Sequence, residues 1–291
     1  MNIPADPPLQ VESWACPSCG ASSTSPYCPA CGERRRSEHD LTLRHLFEQL
    51  LESLIHFDGR LFRTTKVLVT QPGRLTTAYL AGSRRPYVSP FHIFLVANVV
   101  FFIVQVFSGL AVLTVPLATE LDYEVYSGLA QRLVARHLAG AGMSVGQYAP
   151  IFDHAEGLYA KSLIMLMLPL FAVVAGLLFF DRRKVAVAHL VFAVHYYAFL
   201  LVVLCVLFPV FAILTSVLFH LGVHLGPGVL DWIATSAEAL LCLTYLGRSS
   251  EIVYEAGPLR RWLSAGLLTV ATLYILYAYR FILFMVTLLA T

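Results

Sequence analysis

Downstream of Pro90 the sequence is a succession of long apolar runs joined by short polar or basic connections. The first ninety residues are instead polar, basic and cysteine-rich. A helix that crosses a membrane needs about 20 apolar residues to match a hydrocarbon core of about 30 Å. On that measure five spans are expected, at about 90–113, 162–180, 187–210, 229–246 and 264–289. The third lies in an apolar stretch from Val185 to about Val223, longer than one bilayer core at about 1.5 Å per residue. Pro209 is expected to kink that stretch, and Gly226-Pro227-Gly228 to break the chain before the fourth span.

Upstream, residues 40–87 carry a helical amphipathic pattern. Leu43, Leu46, Phe47, Leu50, Leu51, Leu54 and Ile55 form one stripe behind a capping Asp40. A second short helix holds Leu61, Phe62, Leu68 and Val69 with Arg60, Arg63 and Lys66 between them, and a third segment runs from Leu75 to Leu80 after the Pro72-Gly73 stop. Basic amphipathic helices beside a span lie in the lipid headgroup layer or pack as a cap on the membrane domain. The pattern leaves both open. Residues 1–13, proline-rich and polar, are expected to be disordered and not a cleaved leader.

Composition sharpens the class. The chain of 291 residues is 58% hydrophobic and 13% charged, where soluble domains carry roughly 25% charged residues. The net charge of +2 gives no global basic field, and no nucleic-acid partner is expected. Charge placement suggests an orientation. With five spans, Arg84 and Arg85, then Arg182, Arg183 and Lys184, then Arg248, Arg260 and Arg261 all fall on one side, and the 221–228 connection has no Lys or Arg. The expectation is a cytosolic N-terminus and an external C-terminus, with the mixed-charge segment from Thr114 to Ala160 outside.

Residues 14–36 contain two near-identical knuckles, Cys16-Pro17-Ser18-Cys19-Gly20 and Cys28-Pro29-Ala30-Cys31-Gly32. Each sets two thiolates across a tight turn whose glycine can adopt positive φ. Together they supply the closed tetrahedral sulfur shell of a structural zinc site, with no open position for catalysis. Such a minimal ribbon depends on metal for its folding free energy. Two disulfides would need an oxidising compartment; a redox pair and an iron site are further alternatives. Zinc loading would bring the formal charge from +2 to about 0. Arg34, Arg35 and Arg36 follow directly, either offsetting the thiolates or as a solvated basic run.

Ionisable groups at membrane depth are candidates for function. Glu238 lies about 13 Å below the outer boundary of its span by rise per residue, and Arg280 comes to a similar depth, so a Glu238–Arg280 pair is expected. Asn98 and His195 complete a candidate polar cluster. These four groups line an ion or substrate path, or simply hold the bundle together by interhelical hydrogen bonds. Gly142-Met143-Ser144-Val145-Gly146, with Asp153 and His154 beyond, matches a nucleophile-elbow string. That string carries chemistry only on a strand–turn–helix elbow, and here it falls among helices. No enzymatic activity is expected.

The stretches CPSCG…YCPACGERRR and FDGRLFRTTKVLVTQPGRLTTAYLAGSRRPYVSPFHIFLVANVVFF resemble the bacterial membrane proteins grouped as domain of unknown function 3667. The resemblance covers roughly residues 14–105, most specifically Thr64, Pro72-Gly73, Tyr79, Gly82, Arg84-Arg85, Tyr87 and Pro90. It implies a multi-span bacterial protein with a zinc-ribbon head and no particular activity. In layout alone the chain is also similar to the Yip1-like membrane proteins. The expectation is thus an all-α polytopic protein of the bacterial cytoplasmic membrane, with residues 88–291 forming its membrane domain. A structural zinc ribbon would engage a cytosolic or membrane partner, the basic Arg84 and Arg85 would lie at the interface, and transport through the polar cluster is the alternative.

Overall fold

The architecture is that of a computed structural model, which describes residues 13–35, 59–108, 113–182, 184–222 and 227–291. The expected helix between Asp40 and Phe57 and the N-terminal tail to residue 12 lie outside them. At the head, β1 (Trp14–Ala15) and β2 (Ser22–Ser23) pair antiparallel, Trp14 opposite Ser23. The rest of the described chain is helical: α1 (Gly59–Thr70), α2 (Arg74–Ala81), α3 (Pro90–Ser108), α4 (Leu117–Asp122), α5 (Ser127–Ala141), α6 (Val145–Leu163), α7 (Met167–Leu178), α8 (Ala186–His220), α9 (Pro227–Tyr254) and α10 (Pro258–Ala290).

Four helical stretches among the described residues are long and apolar enough to cross a membrane: α3, the run Val145–Leu178 made by α6 and α7, α8, and α10. α9, expected as a further span, is 28 residues long and antiparallel to α10 across the short Glu255–Gly257 connection. α3, the α6–α7 run, α8, α9 and α10 pack together as one bundle with two ends. At the first end, Arg260 grips Asp181 with both guanidinium nitrogens, and Arg182 Nη2 donates to the Glu255 carbonyl at 3.1 Å. At the opposite end the C-terminus closes on α6, where Tyr148 and Thr291 share a 2.5 Å hydrogen bond.

The bundle core is aromatic. Phe171 stacks on Tyr196 with ring centroids 4.8 Å apart, Phe199 stacks on Tyr245 at 3.8 Å, and all four rings are buried. Lipid tails are as apolar as the helices, so close packing and hydrogen bonds between helices, about 0.6 kcal/mol each, hold such a bundle. Tyr196 with Thr272 (3.0 Å) and the Tyr279 hydroxyl donating to the Ala160 carbonyl (3.0 Å) supply two of them.

α2 is an inserted element. It is bracketed by Gly73 (φ 82°) and Gly82 (φ 90°), left-handed residues that let the chain turn sharply at both ends. Its buried face, Leu75, Thr76 and Tyr79, packs on α8 and α9. A Cβ on Gly73 would come 3.1 Å from the Ser249 Cα, tighter than ordinary contact, and its left-handed φ already favours glycine. Of the two readings left open by the sequence, α2 takes the packed one.

The segment from Thr114 to Ala160 is also structured. α4, α5 and the start of α6 build a second small core, with Leu117, Val134, Tyr148 and Phe152 packed on Phe284 and Leu288 of α10. The elbow-like string is the joint between two of its helices. Gly142 (φ 65°) ends α5 in the left-handed conformation, and Ser144 starts α6 with its N–H donating to Gln147 Oε1 at 3.0 Å.

Candidate functional site

The two cysteine knuckles repeat one backbone pattern. Gly20 N–H donates to the Cys16 carbonyl and Gly32 N–H to the Cys28 carbonyl, at 2.8 and 2.7 Å; Cys16 N–H reaches Ala21 and Cys28 N–H reaches Glu33, at 2.9 and 2.7 Å. Gly20 (φ 77°) and Gly32 (φ 69°) take the positive φ their position demands. These turns carry all four sulfurs to within 4.8 Å of one another, with Cys16–Cys31 and Cys19–Cys28 each at 3.5 Å. A tetrahedron with metal–sulfur bonds of about 2.3 Å has sulfurs about 3.8 Å apart, so the four residues fit one metal ion. Backbone N–H groups of Cys31 and Ala30 aimed at the Cys28 sulfur lower its pKa to about 7. Cys31, despite the Glu33 amide, is pushed up to about 12 by burial and by the neighbouring sulfurs. Four sulfurs this close are consistent with a cation bound between them.

The head is fastened to the membrane-proximal chain by Glu33, a residue the sequence reading passed over. Its carboxylate is 5% exposed, and one oxygen accepts from Arg84 N–H (3.1 Å), Arg85 N–H (2.9 Å) and the Ser18 hydroxyl (2.5 Å). Ser18 also meets Ser83 at 3.0 Å. The guanidinium of Arg85 lies against Gly32, where a Cβ would come 2.6 Å from its Nη1, and that of Arg84 sits over the Tyr79 ring at 5.0 Å. The two expected interfacial arginines therefore form the seat of the head.

The four polar groups expected to cluster lie on four different helices. Asn98 is buried on α3. His195, 3% exposed, shares a 2.9 Å hydrogen bond with Thr76 of α2. Glu238 is half-buried on α9. Arg280 pairs with Glu124 at 3.1 Å, not with Glu238. The short α9–α10 connection sets the register of that hairpin, and Gly247 packs on Trp262 and Ala265. Glu238 then lies level with about Tyr274, about 9 Å short of Arg280 at 1.5 Å per residue.

Arg280 instead faces a carboxyl cluster under the α4–α6 cap. Glu120 and Glu156 are 0% and 1% exposed, and Glu124 is buried beside them. Asp153 accepts from Leu117 N–H at 2.8 Å, and one Glu156 oxygen from Val115 N–H at 3.3 Å. Among the described residues, neither oxygen of Glu120 finds a partner of hydrogen-bonding geometry, although the Tyr126 hydroxyl lies close by. Burial pushes the Glu120 carboxyl up to about 7, Glu124 reinforcing the rise and Tyr126 and Arg280 opposing it. Glu120 and Glu124, four residues apart, were the available signal in a segment that reads only as mixed charge.

Head and bundle together define a helical, membrane-type protein that carries a four-cysteine, metal-fitting centre. Residues 58–102 match the family model described as Protein of unknown function (DUF3667), bearing out the resemblance over α1, α2 and most of α3. That stretch includes both the seat of the head and the inserted α2. No curated protein and no solved structure matches the chain.

Proposed function

We propose that this protein is a non-enzymatic adaptor of the bacterial cytoplasmic membrane. In this reading the five passages cross the bilayer with the N-terminus cytosolic and the C-terminus outside, and a zinc-loaded head recruits a protein partner. The observation that carries it is the Glu33 clamp: the head is seated on the chain just before α3 by a buried carboxylate. It leaves Cys19 and Tyr27 exposed, Tyr27 at 58%. An exposed aromatic on a rigid platform is the kind of anchor that dominates protein interfaces. The test is cross-linking capture from native membranes at equal expression, comparing the wild type with Cys28→Ser and Tyr27→Ala. A defined partner lost in both variants supports the adaptor; identical capture by all three sinks it. For topology, a reporter active only outside the cytosol should work when fused after Ala139 and fail after Lys184.

A second reading, ion or small-molecule transport, draws on the carboxyls around Arg280, because two fully buried acids with unpartnered oxygens are expensive unless they hold protons or meet a cation. Loss of a membrane-potential or pH phenotype in Glu156→Gln with the metal centre intact would favour it over the adaptor.

A further inference from the structure

Between the α1–α2 turn, α8 and α9 lies a cavity of about 740 Å³, within the roughly 300–1,000 Å³ typical of ligand sites. Most of its wall is apolar, with Phe199 and Val203 from α8 and Leu241 and Ile252 from α9, and none of its lining residues is acidic. Two arginines, Arg74 and Arg248, line it as well. They stand at the same end, because each adjoins one partner of the close Gly73–Ser249 contact. Arg74 is oriented by a hydrogen bond to Gln71 Oε1, and both arginines are exposed. Leu241 lies seven residues before Arg248, about 10 Å along α9. It is 38% exposed beside Leu240 at 60% and Val206 at 60%, so the apolar end opens towards the helix faces that lipid would cover. The acid nearest along α9, Glu251, is already paired with Arg261 at 2.5 Å.

We propose that this cavity binds an anionic membrane lipid, its phosphate between Arg74 and Arg248 and one acyl chain along Phe199, Val203 and Leu241. Charge complementarity selects the occupant. Basic pockets between membrane helices take anionic headgroups, whereas a zwitterionic lipid would bring its own cation to two guanidinium groups. The site draws on neither the metal centre nor a protein partner, so its fate is separable from that of the adaptor reading.

The test uses the full chain in neutral detergent, stripped of lipid, with binding read by native mass spectrometry. The probes are short-chain phosphatidylglycerol, phosphatidylcholine with the same chains, and glycerol phosphate. Phosphatidylglycerol should bind best. Arg74→Gln and Arg248→Gln should each weaken it about 5-fold and together about 25-fold, at about 1 kcal/mol per basic residue, while phosphatidylcholine is unaffected. Val203→Trp, which fills the apolar end, should weaken both lipids, and Arg136→Gln on the α5 surface neither. Equal binding of the two lipids, or full phosphatidylglycerol affinity in the double arginine variant, overturns the proposal. Glycerol phosphate binding as tightly as phosphatidylglycerol would show a site for soluble phosphate esters and overturn the lipid assignment.

Discussion

Glu120 offers the sharpest test of how the α4–α6 cap is held. Its carboxyl is fully buried beneath the cap, and opening the cap would return it to water. The buried pKa of about 7 stands against an ordinary value of 4.5. The closed cap therefore holds a proton more tightly than the open one, and the sign follows. The contribution of Glu120 to closure is full below pH 4.5, falls as pH rises towards 7, and is lost above it. The loss is about 3 kcal/mol at 1.36 kcal/mol per pKa unit, or about a 300-fold rise in the open population. Amide hydrogen exchange across residues 117–152, corrected for the intrinsic base dependence of exchange, reads that local opening directly. Glu120→Gln is isosteric and cannot ionise, so its exchange should lose this part of the pH dependence, between about pH 4.5 and 7. If this variant keeps the wild-type slope, Glu120 is not the group that titrates and the account of the cap is wrong.

Three further outcomes follow from the head and the turn before α2. Purified wild type should carry about one equivalent of zinc by elemental analysis and Cys28→Ser nearly none, since loss of one thiolate removes much of an apparent affinity of about 10–16 kcal/mol. Glu33→Gln should keep the metal but loosen the head by about 1.5–3 kcal/mol, the worth of hydrogen bonds to a charged group, seen as faster proteolysis after Arg35. Gly73→Ala should lower the thermal midpoint in detergent, at a cost of about 1–3 kcal/mol for the strained backbone alone; an unchanged midpoint would mean that α2 is not seated on α9.

The apolar passages were legible because a run long enough to span a bilayer is a strong, local signal. The knuckles were legible because their chemistry is fixed by spacing; their backbone geometry then places the sulfurs of Cys16, Cys19, Cys28 and Cys31 around one point. Contacts that join distant segments were not. Depth along a span suggested Glu238 for Arg280, but the tight α9–α10 connection fixes the register and Glu124 arrives from the cap. The cap itself is easily read as a loop, because α5 and α6 are far less apolar than the spans and bury their faces on the end of α10. Glu33 was overlooked beside three arginines, its role being set by two backbone N–H groups some fifty residues away.

α8 is 35 residues long, about 52 Å at 1.5 Å per residue, against a hydrocarbon core of about 30 Å. Its first half, to Leu204, is buried among its neighbours, whereas Val206, Val210, Ile213, Val217 and Phe219 beyond are exposed. The two halves therefore meet different surroundings: protein packing fixes the first, and the second presents its apolar side chains outward. Pro209, which has no N–H to offer the Cys205 carbonyl, lies where the halves meet and lowers the cost of bending there. Were α8 to cross a bilayer, a change in thickness would be met by bending about this point, leaving the packed bundle and its four-cysteine head in place.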